Sequence, residues 1–271
     1  MSSEGLSCDA AGHVRPMETR LLAFDEPCPY LAGRTATLEG FFTGSADPAS
    51  YRKLMDHGFR RSGRFFYRPQ CDGCRQCVPL RVPVASFTPS RSQRRCWLRN
   101  QDLVVHSGMP ESTAEKHALY RRYVAAKHAD GCEIDMAALN DFLYNRVVET
   151  VEFTCREPGG RLLAVGICDM FADAISSVYC FYDVQERRRG LGTFTALKEI
   201  EYAKERGLGY YYLGFHVRDC PSMCYKASYR PYELLDASQQ WVAGGLMPPE
   251  SRPVPDELKQ VCRRRSSVEH G

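Results

Sequence analysis

Three thiols stand at C-x2-C-x2-C spacing in Cys71-Asp72-Gly73-Cys74-Arg75-Gln76-Cys77, directly before Val78-Pro79-Leu80-Arg81. Each C-x2-C step lets two sulfurs converge from one loop, and Gly73 permits the sharp turn between them, so the trio has the chemistry to hold a soft metal. A fourth ligand is missing locally. Ferredoxin-type runs take their fourth cysteine from a distance, which makes Cys28, in Glu26-Pro27-Cys28-Pro29-Tyr30-Leu31, the first candidate and Cys96 the second. An iron-sulfur centre is favoured over zinc because a second C-x2-C pair is missing. Spacing alone leaves two other readings open, reduced surface thiols and a redox pair. A nucleophilic cysteine would want a histidine base, and none lies close in sequence.

Two basic segments suit anions. In Arg187-Arg188-Arg189-Gly190-Leu191-Gly192-Thr193 a strand-like run gives way to a helix. Amides at such a start offer donors, backed by the helix dipole, to an anion or a developing oxyanion, although a tight turn also explains the two glycines. Arg91, Arg95 and Arg99 recur every fourth residue, with Arg94 beside them and Trp97 nearby, and no acid intervenes. That pattern lays a basic stripe along one helix.

The elements that must position these residues follow from periodicity and punctuation. The chain has 271 residues, of which 44% are hydrophobic and 25% charged, enough for one large core or two modest ones, and two domains are expected. A net charge of +3 is too small to imply nucleic-acid binding by itself, so the clustering of the arginines carries that argument. Thirteen cysteines without framework spacing, and a start with no basic region before an apolar run, point to a cytoplasmic protein with reduced thiols. No apolar run reaches the roughly 20 residues of a membrane helix, so no membrane partner is expected, and the chain is expected to be monomeric.

Residues 1–18 lack periodicity and are expected to be flexible, and residues 246–271, with four prolines and Arg263-Arg264-Arg265, to form a basic tail. Between them, an N-terminal strand-helix domain is expected over 19–108 and a catalytic domain over 109–245. In the first, Thr35 to Phe42, Arg64 to Tyr67 and Leu80 to Phe87 have strand character, Asp47-Pro48 opens a short helix and Ser90 another, before Leu103-Val104-Val105. In the second, Ser112-x-x-Glu115 has the form of a capping box, and Asp135 precedes a further helix. Val147 to Arg156, Leu162 to Phe171 and Ala174 to Tyr182 form an antiparallel meander, followed by a helix to Arg206 and the strand Tyr210 to Leu213.

The Arg187-x-x-Gly190-x-Gly192 spacing after that meander resembles the pyrophosphate loop of GCN5-related N-acetyltransferases. That likeness implies a mixed, mostly antiparallel sheet of α/β (α+β) class, with two parallel strands splayed beside the helix. A closer resemblance runs from Tyr212-Leu213-Gly214-Phe215 through Met223-x-Tyr225-Lys226-x-x-Tyr229-Arg230-Pro231-x-Glu233-Leu234. Together with Cys28-x-Tyr30-Leu31, Arg34-Thr35-Ala36, Gly58-Phe59-Arg60-Arg61-Ser62-Gly63, Tyr67-Arg68-Pro69 and Ser90 to Arg95, it is similar to the arginyl-tRNA-protein transferase family over roughly residues 20 to 240. The shorter bacterial members are aspartate/glutamate leucyltransferases. The resemblance therefore implies transfer of leucine from Leu-tRNA to proteins with an N-terminal Asp or Glu, marking them for degradation. In longer relatives the N-terminal cysteines are implicated in iron-sulfur binding, which would fall here on Cys28, Cys71, Cys74 and Cys77.

That reaction assigns provisional roles. An amine must lose a proton to attack an ester, so Asp183, at a strand end, is a candidate base, and Tyr212 and Tyr225 are candidates to position the amine or relay its proton. An acidic N-terminus calls for cations, which Lys226 and Arg230, four apart, could supply beside the Arg187, Gly190 and Gly192 loop. Charged tRNA would meet Arg91, Arg94, Arg95 and Arg99, with an aromatic to stack the terminal adenosine. Two alternatives are an acetyl-CoA-dependent N-acetyltransferase, which would not need the arginine helix, and a non-enzymatic metal or redox sensor built on the cysteines.

Overall fold

The computed structural model describes residues 21–127 and 135–244. The expected flexible start at 1–18 and the basic tail at 246–271 lie outside the described residues. A first sheet is built from β1 (Leu22–Pro27), β2 (Thr35–Phe42), β3 (Arg60–Ser62) and β4 (Phe65–Pro69), in the antiparallel order β1-β2-β4-β3. Helix α1 (Pro48–Asp56) lies between β2 and β3 in sequence, and Asp47 caps it by accepting from the amides of Ala49 and Ser50.

The second sheet has eight strands. In chain order the elements are β5 (Val78–Pro83), α2 (Arg91–Arg99), β6 (Val104–Gly108), α3 (Ala114–Lys127), α4 (Met136–Leu139), β7 (Thr150–Arg156), β8 (Leu162–Phe171), β9 (Ala174–Tyr182), α5 (Leu191–Glu205), β10 (Tyr210–His216), α6 (Pro221–Cys224), β11 (Glu233–Leu235) and β12 (Trp241–Ala243). Their order across the sheet is β12-β11-β5-β10-β9-β8-β7-β6. All neighbours are antiparallel except β9 and β10, which run parallel.

The expected division at residue 108 does not match this arrangement. β5 is buried at every position but its last and sits between β11 and β10, as a strand covered on both faces must. With β6 on the far edge, the first sheet ends before β5, and the catalytic sheet takes strands from both parts of the chain. The meander is where the apolar runs place it. β8 is buried at all positions except Met170, and its pairing with β7 and β9 spans nearly its whole length. The cap of α3 differs by one residue: Thr113, not Ser112, accepts from Lys116, with its Oγ1 3.3 Å from that amide.

Alternation along β10 shows how the layers stack. Tyr211 and Leu213 face α5 and pack with Leu197 and Ile200, whereas Tyr212 faces the first sheet and packs with Tyr51, Phe66 and Phe171. Helix α2 lies outside α5, with Cys96 and Trp97 against Leu191 and Phe194. The first sheet is pinned to the opposite face by a buried ion pair. Arg61 donates through Nε and Nη2 to the two carboxylate oxygens of Asp169 on β8, both at 2.6 Å, and Tyr51 and Thr150 donate to the same carboxylate.

Candidate active site at the parting of two strands

β9 and β10 pair only from Ala174–Tyr210 to Ser176–Tyr212, after which β10 bulges at Gly214 and the two strands separate. A parallel pair that opens in this way leaves backbone groups on the facing edges without a ladder partner. Helix α5 begins at the open end. Gly190 takes a left-handed conformation, φ 67°, to start it, and Gly190 O accepts from the amides of Thr193 and Phe194, each at 3.0 Å. The amides of Leu191 and Gly192 have no partner among the described residues. Gly192 leaves room for the Tyr182 ring, which a Cβ there would approach to 3.1 Å.

Two cations converge on the gap from different elements. Lys226 follows α6 in a single 3-10 turn, is 8% exposed, and donates through Nζ to Phe215 O at 2.9 Å. Arg60 reaches across from β3 and donates through Nη2 to Ser177 O at 2.9 Å. A Cβ on Gly214 would lie 3.1 Å from Lys226 Nζ and 3.6 Å from Arg60 Nη2, so the glycine bulge makes the space in which both end. Burial first, and then the Arg60 charge, bring the Lys226 ammonium down to about 7. A lysine so placed exists in both protonation states near neutral pH. Gly214→Ala should disturb this point directly. With φ at 89° a side chain there is strained by about 1–3 kcal/mol, and the new methyl group pushes Lys226 off Phe215 O. A drop in kcat of about tenfold or more, with tRNA affinity unchanged, is the expected outcome in steady-state kinetics.

The other expected residues are scattered around this centre. Tyr225 is 49% exposed at the mouth, with Cys180, Glu199 and Tyr182 among its electrostatic neighbours. Asp183 does not face the gap as a free base. Its Oδ1 accepts from the Gln185 amide at 3.0 Å and its Oδ2 from Arg161 at 3.3 Å, so it closes the turn after β9. Tyr212 is likewise committed, donating to Asp56 at 3.0 Å and accepting from Arg81 at 3.2 Å on the face toward the first sheet. Burial and the Asp56 carboxylate hold its hydroxyl above its ordinary range, so it stays protonated in this pair of hydrogen bonds. Arg230 does not share a face with Lys226, because the helical turn ends at Ser228 and Arg230 is exposed in the bend that follows. The cation that ends beside Lys226 is Arg60.

Arg91, Arg94, Arg95 and Arg99 are all exposed on α2, whose Ser90 and Gln93 form a full capping box. Arg94 donates to Pro89 O and Arg99 to Arg188 O, while Arg187 is exposed beside them. Trp97 is not free to stack a base. It packs on Phe194 with centroids 5.8 Å apart, and Lys198 lies over its ring.

The four cysteines Cys28, Cys71, Cys74 and Cys77 line one small cavity of about 80 Å3 with Tyr30, Tyr67 and Phe215, adjoining the gap. Gly73, at φ 61°, turns the loop, and the Cys71 thiol accepts from the Thr37 amide at 3.4 Å. Among the described residues, however, no three His, Cys, Asp or Glu side chains are grouped to hold a metal ion. Cys96, the second candidate, is turned away, its thiol donating to Arg189 O and Gly190 O at the start of α5. A larger cavity, about 490 Å3, lies between α2 and α5 near Phe87, Leu98 and Ile200 and shares no residue with the gap. The gap is the stronger candidate because parted strands, buried cations and a helix start meet there.

Two family models match the chain. The model described as arginine-tRNA-protein transferase, C terminus, matches residues 115–236, and the corresponding N-terminus model matches residues 26–95. The chain belongs to the arginine-tRNA-protein transferase family. Among the relatives of this transferase, an aspartate/glutamate leucyltransferase of Halorhodospira halophila is 42% identical over 213 residues, covering 77% of the chain and 90% of the relative. One of Teredinibacter turnerae is 40% identical over 220 residues, covering 80% and 90%. Of solved structures, the C-terminal domain of a putative lysylphosphatidylglycerol synthetase from Agrobacterium fabrum aligns with a TM-score of 0.45 at 12% identity, over 72% of the transferase and 65% of that chain.

Proposed function

We propose that this transferase moves leucine from Leu-tRNA to the α-amine of proteins beginning with Asp or Glu. As a member of its family the chain is an aminoacyltransferase, and its close relatives carry that activity in their name. The observation that carries the mechanism is the buried Lys226 between two strands that have just parted.

The donor is already an activated ester, so attack needs only a neutral amine held against the carbonyl carbon. Lys226, when neutral, takes the proton from the attacking ammonium. The C–N bond forms, the nitrogen gives up its second proton and the ester C–O bond breaks; one of the two protons passes to the departing ribose oxygen of the tRNA and the other leaves to solvent. Backbone donors on the separated edges face the tetrahedral oxyanion, so positioning and electrostatics supply most of the rate. The layers suggest opposite approaches for the two substrates. The α2 arginines and the start of α5 lie on one face of the sheet for the tRNA, and Arg60 and Lys226 lie on the side of the first sheet for the acceptor.

Incubating the protein with Leu-tRNA, Arg-tRNA and, separately, acetyl-CoA, each with Asp-, Glu- and Ala-initiated peptides, tests the reading. Leucyl transfer to Asp and Glu peptides alone is expected, and acetyl transfer without aminoacyl transfer would overturn it. The tRNA face makes a separate prediction. Arg91 and Arg95 are exposed and bond to no other described residue, so Arg91→Ala with Arg95→Ala should lower the slope of log affinity against log salt by about 2 in a filter-binding titration. An unchanged slope would remove α2 from the tRNA site.

A further inference from the structure

Two consecutive residues of β3 meet opposite fates. Arg61 points into the joint between the sheets and is neutralised by Asp169. Arg60 points to the other face of its strand, toward the gap, and is 8% exposed. Its only bond among the described residues is the one from Nη2 to Ser177 O, and no aspartate or glutamate among them pairs with it. Lys226, which ends at the same Gly214 bulge, has no acidic partner there either.

The other buried arginines among the described residues are compensated. Arg68 is held by Glu39 at 2.9 Å, and Arg81 by Glu233 at 2.7 Å. Removing a guanidinium from water costs several kcal/mol unless a counter-charge and hydrogen bonds replace the water, and a second cation beside it adds repulsion. A fold that compensates its other buried arginines and leaves this adjoining pair without an anion has kept a place for one.

We infer that Arg60 reads the acidic side chain of the acceptor, its guanidinium gripping the carboxylate of an N-terminal Asp or Glu. Ser177 O fixes the guanidinium through Nη2, leaving the rest of its planar fork to meet a carboxylate. Lys226 then faces the α-amine of the same residue. An N-terminal Asn or Gln has nearly the same shape but no charge, and its amide N–H groups would meet N–H groups. This inference rests on the function proposed above and adds which group selects the acceptor.

The test is leucyl transfer to peptides that differ only in a first residue of Asp, Asn, Glu or Gln, using wild type, Arg60→Met and Arg60→Lys. Wild type is expected to favour Asp over Asn by about 10²-fold or more in kcat/KM. Arg60→Met should collapse that ratio to within a few-fold, and Arg60→Lys, which keeps charge but loses the fork, should lower it about tenfold. Leu-tRNA binding by each variant verifies that the fold is intact. An Asp-to-Asn ratio that survives in Arg60→Met, whatever the absolute rate, overturns the assignment. Should that variant not fold, a wild-type ratio in Arg60→Lys overturns it instead. A wild-type protein that leucylates no acidic N-terminus fails the earlier reading, before any variant is compared.

Discussion

Replacing Lys226 with methionine should lower leucyl transfer by a factor of about 10² to 10⁴ at neutral pH while leaving the protein as stable as wild type or more so. The two halves of this expectation come from one fact. The ammonium has been brought from its ordinary 10.5 to about 7 by burial and by Arg60. The folded state therefore binds fewer protons than the unfolded chain between about pH 7 and 10, and stability rises with pH across that window. Below about 7 the full penalty is present, of the order of 4–5 kcal/mol at 1.36 kcal/mol per pK unit.

Methionine removes the penalty and loses the bond to Phe215 O, for a net gain of about 1–3 kcal/mol at neutral pH. Catalysis moves the other way. A base must be neutral, so wild-type kcat/KM should climb as pH rises through about 7, with the acceptor amine adding its own proton loss near 8. In Lys226→Met only the amine limb should remain. Rate against pH and a thermal melt of the same variant decide the matter. Retention of the lower limb, or of the wild-type rate, would end the case for Lys226 as the base.

The second large effect concerns the joint between the sheets. Asp169→Ala strands the Arg61 guanidinium, 1% exposed, together with the hydroxyls of Tyr51 and Thr150. Losing one partner of a buried pair typically costs about 3–5 kcal/mol, a fall in melting temperature on the order of 10 °C for a chain of this size. The expected damage extends to activity, because β3 carries Arg60 on its other face and a loosened joint moves that guanidinium away from Ser177 O. The double change Arg61→Met with Asp169→Leu should melt higher than Asp169→Ala, since it leaves no uncompensated charge. If instead the single change costs under about 1 kcal/mol in a urea titration, the joint is not held by this pair.

How much of this was legible in the residues varies with the physics behind each element. The meander was plain, because β8 is buried on both faces and so is a nearly continuous apolar run. Helix α5 was equally plain from its glycine start. β1 was hidden, since five of its six residues are exposed and it carries no alternation. The three-residue strands β3, β11 and β12 are too short to show a period.

Among site residues, Lys226 was found for its charge, but its burial and its role as base depend on the Gly214 bulge, which a linear reading does not contain. Arg60 was present only as part of a motif. The signal that could have raised it is Arg60-Arg61 on a strand, where two adjacent arginines must face opposite ways and both cannot be solvated if the strand is covered. Asp183, Tyr212 and Arg230 were misplaced for local reasons. The first caps a turn, the second faces the first sheet, and the third follows the end of a helical turn.

The position of β5 has a consequence for how the molecule is made. Residues 78–83 leave the ribosome early, yet both their neighbours in the sheet, β10 and β11, are synthesised more than 125 residues later. Until His216 has emerged, β5 has two open edges and the meander lacks half its sheet, and one edge stays open until Leu235 follows, so the nascent chain exposes strands that invite mispairing. The gap between β9 and β10 forms in that same late event. A chain that stops before β10 thus carries no gap between β9 and β10, and so none of the proposed active site.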